Sequence, residues 1–130
     1  MNKIPCQVAS IAYDEGIAFV KLAFGSHYIA AMLLGEGERL ASGQKLKAVF
    51  KESEVMVCDK SYSKISARNR FVSKVLKTEV SSVIARVIFE FEGLEISALI
   101  SAEAYNELGI EVGKTFGWFV KSSEVMLEYV

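Results

Sequence analysis

Little in this chain of 130 residues is suited to metal or covalent chemistry. It has one histidine, two cysteines, one proline and one tryptophan, and its formal net charge is −1. Cys6 and Cys58 lie far apart with no His or Cys partner at ligand spacing, which argues against a bound metal. Both read as small buried residues on facing strands rather than as a disulfide. His27 has no evident partner and reads as a surface residue, not an acid–base group. No nucleophile–base pair or pair of catalytic carboxylates stands out, so an enzyme is the poorest option. The chain also lacks a Gly-x-x-x-x-Gly-Lys-[Ser/Thr] loop and a helix-turn-helix. Apolar runs such as Ile29–Leu34 are far too short to span a bilayer. The opening Met1–Cys6 has no long apolar stretch with a cleavage site, so a cytoplasmic protein is expected. With charge near zero there is no global field to attract nucleic acid or an anionic membrane, and any anion site must be built locally.

What is present is a duplication. Lys51-Glu52-Ser53-Glu54-Val55-Met56-Val57 returns seventy positions later as Lys121-Ser122-Ser123-Glu124-Val125-Met126-Leu127. Upstream, Asn2-Lys3-Ile4 aligns with Asn69-Arg70-Phe71, Val8 with Val75, Ile17-Ala18 with Ile84-Ala85, and Gly43 with Gly113. The alignment predicts two insertions in the second copy, near Glu92-Gly93 and near Asn106-Glu107. It divides the chain into repeats at 1–60 and 61–130. A unit of this size is marginal alone, so contact between repeats or between chains should complete the core.

Each copy reads as short strands. In the second, Val87, Phe89 and Phe91 alternate with Arg86, Ile88 and Glu90, and Glu92-Gly93 makes a turn. Leu94–Ser101 follows as a strand, then a short helix over Ala102–Gly109 with Ser101 as cap and Gly109 as stop. Thr115–Lys121 and Glu124–Tyr129 complete that copy. The first copy has strands at Ile4–Tyr13, Ile17–Phe24, Tyr28–Leu34, Lys45–Phe50 and Val55–Cys58, with a degenerate helix at Gly35–Leu40. Five strands with a helix between the third and fourth is the plan of an OB-type barrel, so the fold class is all-β, two such barrels in tandem. Trp118, alternating with Phe116 and Val120, is assigned to the core or to a subunit interface, since a half-built barrel would leave its strand as an apolar edge. The basic run Lys60, Lys64, Arg68, Arg70, Lys74 and Lys77 reads as a solvated linker and strand edge before it reads as a nucleic-acid contact.

The strongest polar constellation pairs Ser66-Ala67-Arg68-Asn69 with Lys121-Ser122-Ser123. First and last strands of a small barrel can lie side by side. Hydroxyls, backbone N–H groups and one lysine would then cage a tetrahedral oxyanion. The plainer reading is that Ser66 and Asn69 shape a loop while Lys121 lies on a solvated edge. Spacing alone favours the plainer one.

These segments also carry a resemblance. Ser-Ala-Arg-Asn, an Ile-Ser-Ala-Leu-Ile-Ser strand, Leu-Gly-Ile-Glu-Val-Gly-Lys and Val-Lys-Ser-Ser-Glu-Val-Met, together spanning Ser66–Leu127, resemble the molybdenum-pterin-binding, or molbindin, family of TOBE domains. The first copy matches more loosely over Asn2–Val57. The resemblance implies tandem OB-like domains that bind molybdate or tungstate without catalysis, for storage, homeostasis or sensing. It implies no other cofactor. A homo-oligomer is implied too, a trimer before a dimer. Carried over by position, Ser66 donates its hydroxyl, Arg68 its backbone N–H, and Lys121 neutralises the dianion while Ser122 and Ser123 donate. A second type of site is suggested at Ser97, Ala98 and Ser101, with Lys51 and Ser53 from the first copy. Two departures stand out: Met1-Asn2-Lys3 keeps only the asparagine, and Glu52 replaces Ser122, where a carboxylate would repel a dianion. The alternatives are an OB-type nucleic-acid module, disfavoured by charge and by aromatics patterned into the core, and a detached sensing domain of a molybdate-responsive regulator.

Overall fold

The computed structural model describes residues 1–35 and 39–130. Strands β1 (Asn2–Asp14), β2 (Ile17–Phe24), β3 (His27–Leu34), β4 (Lys45–Phe50) and β5 (Met56–Cys58) come from the first copy. Strands β6 (Asn69–Val80), β7 (Ile84–Phe91), β8 (Leu94–Ser101), β9 (Thr115–Val120) and β10 (Met126–Tyr129) come from the second. The helix α1 spans Ala102–Leu108; the Ser101 hydroxyl accepts from Ala104 N–H and Gly109 closes it in the left-handed region, as its sequence signals require. Its expected counterpart at Gly35–Leu40 falls largely outside the described residues.

All pairings are antiparallel, and they form two five-stranded sheets that exchange their ends. The orders are β10-β4-β1-β2-β3 and β5-β9-β6-β7-β8. Each copy thus sends its last strand to the other: β10 pairs with β4, and β5 with β9. The cause is local. A tight 3-10 turn, Glu52–Glu54 or Ser122–Glu124, follows the fourth strand of each copy and redirects the chain. The turns also shorten the two final strands expected from the sequence.

The exchange corrects two expectations. Cys6 lies in β1 and Cys58 in β5, so they sit in different sheets instead of on facing strands, and both are free thiols, only half buried. The strand of Trp118 is no edge, because β9 is flanked by β5 and β6. Trp118 is fully buried, its indole N–H donating to Ser73 Oγ at 3.0 Å, and it stacks on Phe50 of the first copy at 6.2 Å. Buried side chains of both copies form one cluster, so the repeats complete each other's core.

The duplication holds down to single hydrogen bonds. Val8 N–H donates to Gln44 O and Gly43 N–H to Val8 O; Val75 N–H donates to Lys114 O and Gly113 N–H to Val75 O. Both first strands carry a bulge just beyond these valines. The hairpin registers Ile17↔Leu34 and Ile84↔Ser101 are equivalent, so no residue is inserted near Glu92-Gly93. All of the extra length in the second copy lies between Ser101 and Gly113, where α1 sits.

Candidate functional site

The register Asn69↔Val120 between β6 and β9 sets the geometry. Ser66, Ala67 and Arg68 lead into β6 exactly where Lys121 leaves β9, so the two segments are neighbours. The partner of β6 is β9, the penultimate strand, whereas the last strand β10 has gone to the other sheet. Lys121 precedes the closing turn Ser122–Glu124, whose own bonds run from Glu124 N–H to Lys121 O and from Val125 N–H to Ser122 O. The N–H groups of Ser122 and Ser123 therefore stay outside the turn's hydrogen bonds. Val125, fully buried, pins the turn to the core.

Polar groups here are exposed or half-exposed: Ser66, Arg68, Lys121 and Ser123 are open, Ser122 is partly covered and Ala67 is buried. Among the described residues neither the hydroxyls of Ser66, Ser122 and Ser123 nor Lys121 Nζ has an intramolecular hydrogen bond or ion pair. Asn69 differs. It is buried, its Oδ1 accepts from Ala30 N–H at 2.6 Å, and its Nδ2 donates to Ala30 O at 2.8 Å. It therefore works as a one-residue strand on the free edge of β3, its side-chain amide engaged at both ends by the Ala30 backbone. The closing turn of the second copy packs on the same β3, so the neighbourhood of Lys121 is built from both copies.

The second group of predicted residues is the pseudo-symmetric image. Asn2 Nδ2 donates to Ser97 O at 2.9 Å and its Oδ1 accepts from Ser97 N–H at 2.8 Å. Asn2 pairs with Phe50, Lys51 follows directly, and the turn Glu52–Glu54 packs on β8. Lys51, Ser53, Ser97 and Ala98 are thus gathered in one region, with Ala98 turned into the core. Ser101 stands apart, four residues along β8 and committed to capping α1.

Glu52 was the position expected to repel an anion. Its carboxylate is gripped by Arg86 of β7, with Nη2 at 3.0 Å from Oε1 and Nε at 3.2 Å from Oε2. Arg86 also reaches Glu79 at 3.3 Å, and these carboxylate contacts raise its pKa. The sequence could not pair Glu52 with Arg86, because they belong to different copies.

Other polar residues resolve differently from their sequence reading. His27 has a partner after all: its Nε2 lies 2.9 Å from Glu92 Oε1, and its ring meets Phe71 edge-on at 5.6 Å. Strand β3 begins against the second sheet, which the first copy's own sequence cannot reveal. The groove beside it, about 550 Å³, is lined by His27, Arg70, Lys74, Glu90 and Glu92, mixed charges that do not suit a dianion. Arg68 and Arg70 spend their guanidinium groups on linker carbonyls, Arg68 on Ile65 O and Arg70 on Tyr62 O and Lys60 O. These two arginines fasten the joint between the copies.

Two OB-like sheets, each sealed by an asparagine clamp and a closing turn from the other half, define a tandem oligobinding domain. Known proteins sharpen that class. The TOBE domain family matches residues 65–127. Over 64 residues, 48% of this chain and 94% of the relative, the sequence is 38% identical to molybdenum-pterin-binding protein 2 of Clostridium pasteurianum. It is 40% identical over 65 residues to the probable molybdenum-pterin-binding protein of Haemophilus influenzae, covering 49% of this chain and 94% of that one. The whole fold superposes on the crystal structure of the cytoplasmic molybdate-binding protein ModG with molybdate bound, at a TM-score of 0.93 and 30% identity, over 99% of this chain and 96% of that one. The chain belongs to the molybdenum-pterin-binding family of TOBE-domain proteins.

Proposed function

We propose that this protein is a cytoplasmic binder of molybdate, with tungstate as a near-isosteric competitor, that stores, buffers or senses the oxyanion and does no bond-making chemistry. The observation that carries the reading is the Asn69↔Val120 register, which sets the Ser66–Arg68 approach beside Lys121 and the unfilled amides of Ser122 and Ser123. The family membership and the likeness to ModG, itself a molybdate-binding protein, support the same ligand class.

In this reading Lys121 supplies charge, Ser66, Ser122 and Ser123 donate from hydroxyls, and the Arg68, Ser122 and Ser123 amides donate from the backbone. Asn69 positions the segment through its clamp on Ala30. Discrimination against sulfate would follow from size, since donors fixed on strand ends cannot close fully around a smaller tetrahedron. Donors on one exposed face cover only part of an anion, so a second copy of the chain would supply the rest, as a homo-oligomer, trimer or dimer. No helix among the described residues is long and apolar enough to cross a membrane.

Isothermal titration with molybdate, tungstate and sulfate tests the proposal. Saturable heat with the first two and little with sulfate is the expected result; no heat with any of the three would end it.

A further inference from the structure

The two closing turns share a backbone and differ in one charge. Glu52 and Ser122 occupy equivalent positions, as do Arg86 and Phe19 on the second strand of each hairpin. Burial along the two motifs is also the same residue for residue, from Lys51 to Lys60 and from Lys121 to Val130. Each turn leaves two amide donors outside its own bonds, those of Glu52 and Ser53 in the first copy. Each is preceded by an exposed lysine that makes no ion pair among the described residues.

Against this shared frame, the first copy's turn carries an anion, Glu52, and the second copy supplies the cation that satisfies it, Arg86. The guanidinium of Arg86 forks onto both oxygens of Glu52 at 3.0 and 3.2 Å. A carboxylate so held presents to arginine the same pair of acceptor oxygens that one edge of a tetrahedral oxyanion would present. With Glu52 in place, the charges of Lys51 and Arg86 are balanced by those of Glu52 and Glu79. A free dianion would have to displace a tethered carboxylate and then sit beside it.

We infer that the region of Lys51, Ser53, Arg86 and the Asn2–Ser97 clamp is a latent second oxyanion site, held shut because Glu52 occupies Arg86 as a built-in anion. The chain then binds molybdate asymmetrically, through the Lys121 turn and not through the Lys51 turn. This rests on the function proposed above and adds the residue that decides which copy is open.

The test is a molybdate titration of the full chain and of Glu52→Ser, with circular dichroism to establish folding. Wild type should bind, and Glu52→Ser should take up about one further anion per chain, because Arg86 and Lys51 are released. Adding Arg86→Ala should abolish that gain, while Arg86→Ala in wild type should leave the stoichiometry unchanged. A folded Glu52→Ser variant with wild-type stoichiometry overturns the inference, and so does loss of a bound anion in Arg86→Ala alone. Absence of binding in wild type would instead sink the proposed function. Should Glu52→Ser fail to fold, Ser122→Glu decides: a carboxylate in the open turn should lower affinity at least about tenfold, and unchanged affinity would refute the mechanism.

Discussion

Asn69 holds Ala30 by both ends of its peptide edge, accepting from its N–H at 2.6 Å and donating to its carbonyl at 2.8 Å. Thirty-nine residues separate the two, and the bond pair joins the start of the second sheet to the free edge of the first. Asn2 and Ser97 repeat the arrangement in the other direction at 2.8 and 2.9 Å. Removing the amide leaves a buried N–H and C=O unpaired, which costs more than the bonds themselves contribute. Asn69→Ala should therefore lower stability by about 2–4 kcal/mol in urea unfolding. A loss below about 0.5 kcal/mol, the range of an ordinary surface change, would show that water replaces the clamp.

Strand exchange makes each copy incomplete. Excised alone, residues 61–130 would keep β6 to β9 but have no β5 to cover β9 and no β4 to receive β10. Half-buried Leu127 on β10 would lose its neighbours, and two sheet edges would be exposed together. Two such fragments can mend each other by trading β10, a low-cost route to a dimer. Light scattering on the purified fragment should give a dimer; a folded monomer would contradict the exchange.

Much of this fold was legible in the sequence because its signals are local. Alternation along Val87–Phe91, the Glu92-Gly93 turn at positive φ, and the Ser101 and Gly109 caps each act over a few residues. The repeat gave the number of strands for the same reason. What could not be read was which copy receives which strand, since β4 and β9 offer equivalent edges and the 3-10 turn decides between them. Partners across the copies were hidden likewise: Glu52 with Arg86, His27 with Glu92, and Asn69 with the backbone of Ala30. Serine, lysine and glutamate at the closing motif announced a candidate site, but only the pairing Asn69↔Val120 joins its two segments.

Lys121 is the charged member of the candidate site and stands exposed at the start of its turn. In the proposed site, deleting it would remove a charge-assisted contact to the anion without disturbing Val120 or Val125, which are buried on either side. Lys121→Ala should weaken molybdate binding by about 1.5–3 kcal/mol and leave thermal unfolding unchanged. Lys51→Ala should alter neither, because Glu52 already closes its turn. Equal affinity losses for both lysines, measured by titration calorimetry, would place the anion elsewhere.

Cys6 offers a check on the fold that needs no ligand. Burial pushes its thiol up from 9.0 to about 11, against a weaker opposing effect of a backbone hydrogen bond with Ala48. Burial raises Cys58 as well, while Arg70 pulls it back. At about pH 8 few of either thiol are ionised, so iodoacetamide should label the native protein more slowly than the urea-unfolded chain. The sign of the stability effect follows from proton binding. Between 9.0 and about 11 the folded state retains a proton on Cys6 that the unfolded state has released. Stability must therefore fall as pH rises through that window, and the contribution is intact below it. Urea unfolding at about pH 8 and about pH 10.5 should show a smaller drop in Cys6→Ala than in wild type. Identical drops in the two proteins would mean that the Cys6 thiol is hydrated and titrates as it does in the unfolded chain.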